Sequence, residues 1–353
     1  MNPPQPPPPV LATDGFNRTG LDFSRRLPPP PVTPPVIDCH THLLSADQAE
    51  TWFACADHFG IDVTVTMTPI EEALRVMRGP FAGRVALINV PSWSKVMTDP
   101  ERLYEEDAFM RRLDAFHHLG SRVIKFHQSP GSMARHGMRL GSDRHRRLLD
   151  ATVASGSIIM SHIGDPQTWY DGKYADDPLT PGDREADYAT WEQLLHDYRD
   201  HPWWGAHIGG WPENLDRIQH LLDRFPNLWL DLSATKWIAR TLSAQRDVAR
   251  EFMIRNQDRL MWGSDQVSHP ERTFDFYASR WWVHRKLLET AHVGESPIED
   301  PDGEDGAVTL RGLALPTDVL VKLYRGNIVR LLASVGVRLP DPGIRSAHPS
   351  ASG

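Results

Sequence analysis

The residues best suited to chemistry fall in a few short stretches. Asp38-Cys39-His40-Thr41-His42 ends a β-branched run. Side chains two apart in a strand share a face, so His40 and His42 converge on one point while Cys39 faces the helices. Paired imidazoles suit zinc and similar borderline cations. His162, in Ser161-His162-Ile163-Gly164-Asp165-Pro166, and His207, in Ala206-His207-Ile208-Gly209-Gly210, each end an apolar run and precede glycine. Glycine lets a backbone turn sharply or approach a ligand closely. Met261-Trp262-Gly263-Ser264-Asp265 brings a carboxylate to the end of another such run, and Val123-Ile124-Lys125-Phe126-His127 puts Lys125 and His127 on a shared face. Lys125 reads as a salt-bridge partner, a binder of substrate carboxylate, or a carboxylated bridge between two metals.

Eight short runs can carry these residues as strands: Val36–Cys39, Ile61–Met67, Arg84–Val90, Arg122–Phe126, Ser157–Ser161, Trp203–Ala206, Leu228–Leu232 and Arg259–Gly263. Helical patterns lie between them. Leu215, Ile218, Leu222 and Phe225 fall on one face, as do Tyr188, Trp191, Leu195 and Tyr198. Strand and helix alternating eight times predict a single (β/α)8 TIM-type barrel, with its active site on the rim where strands end. A doubly wound open sheet would place a Gly-rich phosphate loop after an early strand, and the sequence has none there. In a closed barrel the last strand lies beside the first, so Asp265 reaches the metal of His40 and His42. Substrate-facing candidates on the same rim are Trp93 after strand three, Trp169 and Tyr170 in an insertion at 165–185, and Lys236, Trp237 and Arg240 after strand seven. Aromatics with a few cations suit a small planar or carboxylated molecule. A second insertion, 293–316, is acidic and turn-rich and is expected to cross the surface before a final helix at about 317–333.

Residues 1–35 hold twelve of the thirty prolines. They read as a Pro-rich extension, disordered or wrapping the barrel and dispensable to the core. The barrel is expected over 36–335, followed by a C-terminal tail at 336–353. A net charge of −8 argues against a nucleic-acid groove or an anionic membrane as partner. No apolar run is long enough to span a bilayer, and the opening MNPPQPPPPV, without a basic start and apolar stretch, is not expected to act as a signal peptide. Two cysteines are too few for a disulfide framework, which suits a cytoplasmic setting. Self-association as a homo-oligomer is left open.

Taken together, IDCHTH, KFH, SHIGDP, AHIGGWPENL, LDLSATKW, WGSDQ and YRGNIVRLL resemble the amidohydrolase superfamily. They are most similar to the branch holding aminocarboxymuconate-semialdehyde decarboxylase, resorcylate decarboxylases and dicarboxylate lactonases. The resemblance runs over about 36–335. It implies a metal-dependent hydrolase or decarboxylase acting on a small, carboxylated or cyclic substrate. It also implies one divalent metal, Zn2+ or else Mn2+, with His40, His42, His162 and Asp265 as ligands. His207 would then serve catalysis together with Asp265. Independently of the resemblance, residue type and position make Lys125, His127, Trp93, Trp169 and Lys236 the expected substrate contacts. The competing reading is a barrel that binds a small molecule or partner without turnover.

Overall fold

A computed structural model describes residues 15–25, 35–91, 104–175 and 183–339. Trp93, most of the Pro-rich extension and most of the C-terminal tail lie outside the described residues. All eight expected strands are present: β1 Val36–His42, β2 Ile61–Met67, β3 Val85–Ile88, β4 Val123–His127, β5 Ile158–His162, β6 Trp203–Gly205, β7 Leu228–Asp231 and β8 Leu260–Met261. A short β9, Gln266–Val267, continues the eighth.

These strands form two parallel arcs, β3-β2-β1-β9 and β4-β5-β6-β7-β8. Backbone bonds join the arcs at both seams. Between β3 and β4, Asn89 N donates to Val123 O at 2.8 Å and Asn89 O accepts from Lys125 N at 3.0 Å. Between β8 and β1, Cys39 N donates to Trp262 O at 3.1 Å and Asp265 N to His40 O at 2.7 Å. The strands are buried on both faces, as parallel barrel strands must be.

Cys39 departs from the expected orientation. It packs with Val63, Met160, Trp204 and Met261, a set drawn from strands all round the ring that can meet only in the barrel interior. Ile37 belongs to the same interior set, so Cys39 keeps the alternation with Ile37, and the register shift between Asp38 and Thr41 is what lets His40 also face the site, against Asp231.

The final helix is interrupted. Thr317–Val321 passes through a π turn, Lys322–Gly326, into Asn327–Ala333. The widened turn presents Leu323 O to Trp262 N at 2.9 Å and so anchors the irregular end of strand eight.

The 293–316 insertion does more than cross the surface. Val293–Glu295 and Thr309–Arg311 pair as an antiparallel hairpin, and Ile298, Asp300, Leu310 and Leu313 are buried. What draws the acidic segment inward is Arg240, whose guanidinium pairs with Asp300 at 2.5 Å and Asp302 at 3.4 Å. Residues 15–25 of the N-terminal extension pack on this hairpin. Arg18 N donates to Pro297 O at 2.8 Å, Phe16 meets Phe276 edge-on with ring centroids 6.1 Å apart, and Phe23 is buried in the main core. Among the described residues no helix is long and apolar enough to cross a membrane.

Candidate active site

The site begins with Asp231, which ends β7 and has no exposed surface. Its carboxylate accepts from Trp204 Nε1 at 2.7 Å and from the backbone N–H groups of His207 and Ser233, each at 3.0 Å. His40 Nδ1 lies 2.8 Å from Asp231 Oδ2. An ionised carboxylate only accepts, so that nitrogen carries a proton and, in the neutral ring, His40 Nε2 is the bare one. Burial works against the charge of Asp231, but His40 and Ser233 outweigh it and hold the carboxyl well below the usual range. In return, and against the effect of burial, Asp231 raises the His40 imidazole above its ordinary value.

His40 Nε2 then faces Asp265 Oδ1 at 3.2 Å, and His42 Nε2 reaches the same oxygen at 3.0 Å. His40 Nε2 has no hydrogen-bond partner of its own. A buried lone pair set against a carboxylate oxygen is repulsive unless a cation or proton lies between them. Ligand atoms of His40, His207 and Asp265 all fall within 4.8 Å of one another. The donor set of imidazole nitrogens and carboxylate oxygen suits a zinc-like ion. On these grounds the residues present fit a divalent metal.

Glycines bring the elements together. A Cβ on Gly164 would lie 2.7 Å from Gly210 O, and one on Gly210 would lie 2.4 Å from Gly164 N. The loops that follow His162 and His207 are thus in backbone-to-backbone contact, which no other residue type allows. Gly263 does the same for strand eight against strand one, where a Cβ would come within 2.7 Å of His40 Cβ. His207, Ala234 and Asp265 adopt left-handed backbone angles, with φ of 57°, 73° and 56°. For such residues that conformation is uncommon and costs energy.

Next to the histidines opens a cavity of about 440 Å3. His162, His207 and Asp265 stand on its wall together with Trp169, Lys236 and Trp237. Asp300, Pro301 and Asp302 of the hairpin insertion form another side. Trp169 Nε1 donates to Asp302 at 3.2 Å, tying the loop after β5 to the insertion. Burial pushes the His207 imidazole well below its usual value, and neighbouring His162 adds to the effect.

The structure therefore brings His40, His42, His207 and Asp265 together. His162 is close, its ring 4.5 Å from that of His207, but its Nε2 is directed to Gly164 O at 2.9 Å and Asp165 Oδ1 at 3.1 Å. Trp169 and Lys236 line the cavity, whereas Lys125 and His127 are buried within the barrel and do not appear on its wall. Lys125 Nζ has no hydrogen-bond partner, and burial lowers its pKa to about 8. Tyr170 instead stacks under Arg184, whose guanidinium carbon is 4.0 Å from the ring centroid.

Sequence reasoning missed Asp231, Ser233 and Asp38. Asp38 binds strand eight through Ser264 N at 2.9 Å and Ser264 Oγ at 2.6 Å, and accepts from Trp281 Nε1 at 2.8 Å. A signal for Asp231 existed, since an aspartate closes the apolar run Leu228-Trp229-Leu230 at the same rim position as the chosen histidines.

Comparisons with known proteins bear on the family and the fold. Residues 93–333, more than half the chain, match a family model described as amidohydrolase. No curated protein sequence matches. Among solved structures, an uncharacterized TIM-barrel protein from Bordetella bronchiseptica is 16% identical with a TM-score of 0.52, covering 85% of this chain and 99% of its own. A probable 2-pyrone-4,6-dicarboxylic acid hydrolase from Acinetobacter baumannii is 11% identical with a TM-score of 0.49, covering 85% and 100%. An amidohydrolase from Burkholderia multivorans with bound zinc is 13% identical with a TM-score of 0.48, covering 84% and 99%. The Bordetella protein supports the barrel architecture, and the family model adds the chemistry class: the chain belongs to the amidohydrolase family and is an enzyme of that family built on a (β/α)8 barrel.

Proposed function

We propose that the chain is a metal-dependent hydrolase or carboxy-lyase acting on a small, carboxylated or cyclic substrate. The observation that carries this reading is the convergence of His40 Nε2 and His42 Nε2 on one oxygen of Asp265, at 3.2 and 3.0 Å. His40, His42, His162 and Asp265 would hold one divalent ion, zinc before manganese. When bound, such an ion acts as a Lewis acid toward water or a substrate oxygen.

The chain's own residues supply the rest. Asp231 orients His40 through Nδ1, a carboxylate–histidine pairing that fixes the ring and strengthens its outer nitrogen as a donor. Asp265 moves a proton to or from the reacting water. His207, held at Nδ1 by Ser233 at 2.7 Å, turns Nε2 toward the cavity and handles a proton of the substrate. Trp169 and Trp237 offer flat apolar walls, and Lys236 a cation for a substrate anion. Two buried free cysteines suit a reducing, cytoplasmic setting.

A second ligand set has one observation in its favour: His207, not His162, shares the 4.8 Å cluster with His40 and Asp265. Elemental analysis of purified wild type, His162→Asn and His207→Asn separates the two. In the proposed set His207→Asn keeps about one metal per chain and loses roughly 10²–10⁴ in turnover of the lactone, amide or carboxylated aromatic that the wild type accepts. His162→Asn loses both metal and turnover. A metal-free His207→Asn would make His207 a ligand. A His40→Ala/His42→Ala double variant with full metal content would remove the site altogether.

A further inference from the structure

Ser233 follows β7 by two residues and is fully buried, yet its hydroxyl touches three groups. Ser233 Oγ lies 2.7 Å from His207 Nδ1 and 2.9 Å from His40 Nδ1, and it donates to Asp231 Oδ1. A hydroxyl has one proton and two lone pairs. Three further donors converge on Asp231: Trp204 Nε1–H and the N–H groups of His207 and Ser233. That many donors require the acceptor-only carboxylate. The single hydroxyl proton of Ser233 is then committed to Asp231, and toward the imidazoles Ser233 can only accept. His207 Nδ1 must be the protonated nitrogen, because two acceptors would not settle 2.7 Å apart in a buried site.

We propose that Asp231 and Ser233 form a proton-setting pair that fixes His40 and His207 in the same tautomer, each with the proton on Nδ1 and a bare Nε2 turned to the active site. His207 is thereby a proton acceptor in the resting enzyme and donates only after it has taken up a proton. Asp231 acts directly on His40 and, through the Ser233 hydroxyl, on His207. Both are positioning residues, since neither lines the cavity. The assignment of His207 to the chemistry rests on the function proposed above, whereas the tautomer itself does not.

The two are tested apart. Full-length protein with 15N-labelled histidine is read by NMR, where protonated and bare ring nitrogens resonate far apart, and His207 and His40 are assigned by loss of signal in His207→Asn and His40→Asn. Wild type should show both rings protonated at Nδ1. Ser233→Ala should move His207 to the Nε2–H form that an unconstrained imidazole favours, and Ser233→Thr, which keeps the hydroxyl, should restore the wild-type pattern. In competition with a chelator for added Zn2+, Ser233→Ala and Asp231→Asn should hold the ion about 10–100-fold more weakly than wild type, with Ser233→Thr close to wild type. A wild-type His207 protonated at Nε2 overturns the proposal without any variant having to fold. So does a Ser233→Ala protein that keeps the Nδ1–H pattern. If wild type takes up no Zn2+, the metal-enzyme reading fails, while the tautomer measurement still decides this one.

Discussion

Replacing Gly210 by alanine tests whether the two histidine loops are set by backbone contact. The new Cβ would lie 2.4 Å from Gly164 N and 2.7 Å from Gly164 Cα, at a φ of +86°. The left-handed angle alone costs about 1–2 kcal/mol for a residue with a Cβ. Forcing apart two backbones that cannot rotate out of the way adds about 1–3 kcal/mol, typical of overpacking. Gly156→Ala is the matched control, because Gly156 has a φ of +69° with nothing within 4 Å of its would-be Cβ. It should lose only the first amount. Unfolding entropy of roughly 2.1 cal/mol/K per residue makes the extra loss a Tm difference of about 1–4 °C between the two variants. Thermal unfolding of wild type and both variants measures it. Gly210→Ala should also weaken Zn2+ retention, since His162 and His207 leave their strands immediately before the displaced loops, and Gly156→Ala should not. Equal Tm shifts and equal Zn2+ retention would refute the reasoning that these glycines position the site.

The N-terminal extension, expected from composition to be dispensable, should prove otherwise in part: Phe23 is 3% exposed in the main core, so Phe23→Ala should cost about 3 kcal/mol, read by denaturant unfolding. A loss below 1 kcal/mol would show that the segment only rests on the barrel. Lys125→Met removes a buried amine with no hydrogen-bond partner, and should leave stability unchanged or higher and the metal count near one per chain. A wild-type count near two that falls in this variant would instead require a lysine-bridged pair of metals. His145 accepts from Gly141 N at 3.1 Å, and burial lowers its pKa to about 3. Below pH 6.5 the unfolded chain takes up a proton that the folded chain refuses, so stability falls with pH, by roughly 2 kcal/mol at pH 5. His145→Asn should make the Tm drop between pH 7 and pH 5 smaller, and an unchanged drop would assign acid sensitivity to other groups.

How much of this was legible beforehand follows from what each feature depends on. The eight strands were readable because each is a compact apolar run, and parallel barrel strands are buried on both faces. His40, His42, His207 and Asp265 were readable because each ends such a run, and run ends define the rim. The inward face of Cys39 was not readable, because the register shift between Asp38 and Thr41 that brings His40 to the site as well depends on partner strands that a local pattern does not contain. The acidic hairpin was misjudged because charge suggested solvent, and its carboxylates are neutralised by Arg240 about 60 residues earlier in the chain. Composition likewise concealed Phe23, a lone aromatic within a tract whose prolines dominate the average. Asp231 and Ser233 stood in plain view, but nothing local reveals that both Nδ1 atoms would meet there.

The strained backbone and the proton-setting pair belong to one physical problem. Strand ends deliver side chains to the rim, but parallel strands point their termini along the barrel axis rather than toward a common centre. At three of those ends the chain enters the left-handed region directly: His207 at the end of strand six, Ala234 beyond β7 and Asp265 at the end of strand eight. Each turn costs energy, about 1–2 kcal/mol by the general scale for residues with a Cβ. What holds them is also visible. The N–H of His207 donates to Asp231 at 3.0 Å, and the N–H of Asp265 donates to His40 O at 2.7 Å. The group that orients the imidazoles therefore also fastens the strained turn that carries one of them, and strand one fastens the turn that carries the carboxylate. Loss of Asp231 would release the turn at His207 as well as the tautomer. For that reason Ser233→Ala, which removes the hydroxyl and keeps both backbone bonds, isolates the proton-setting role more cleanly than any change to Asp231.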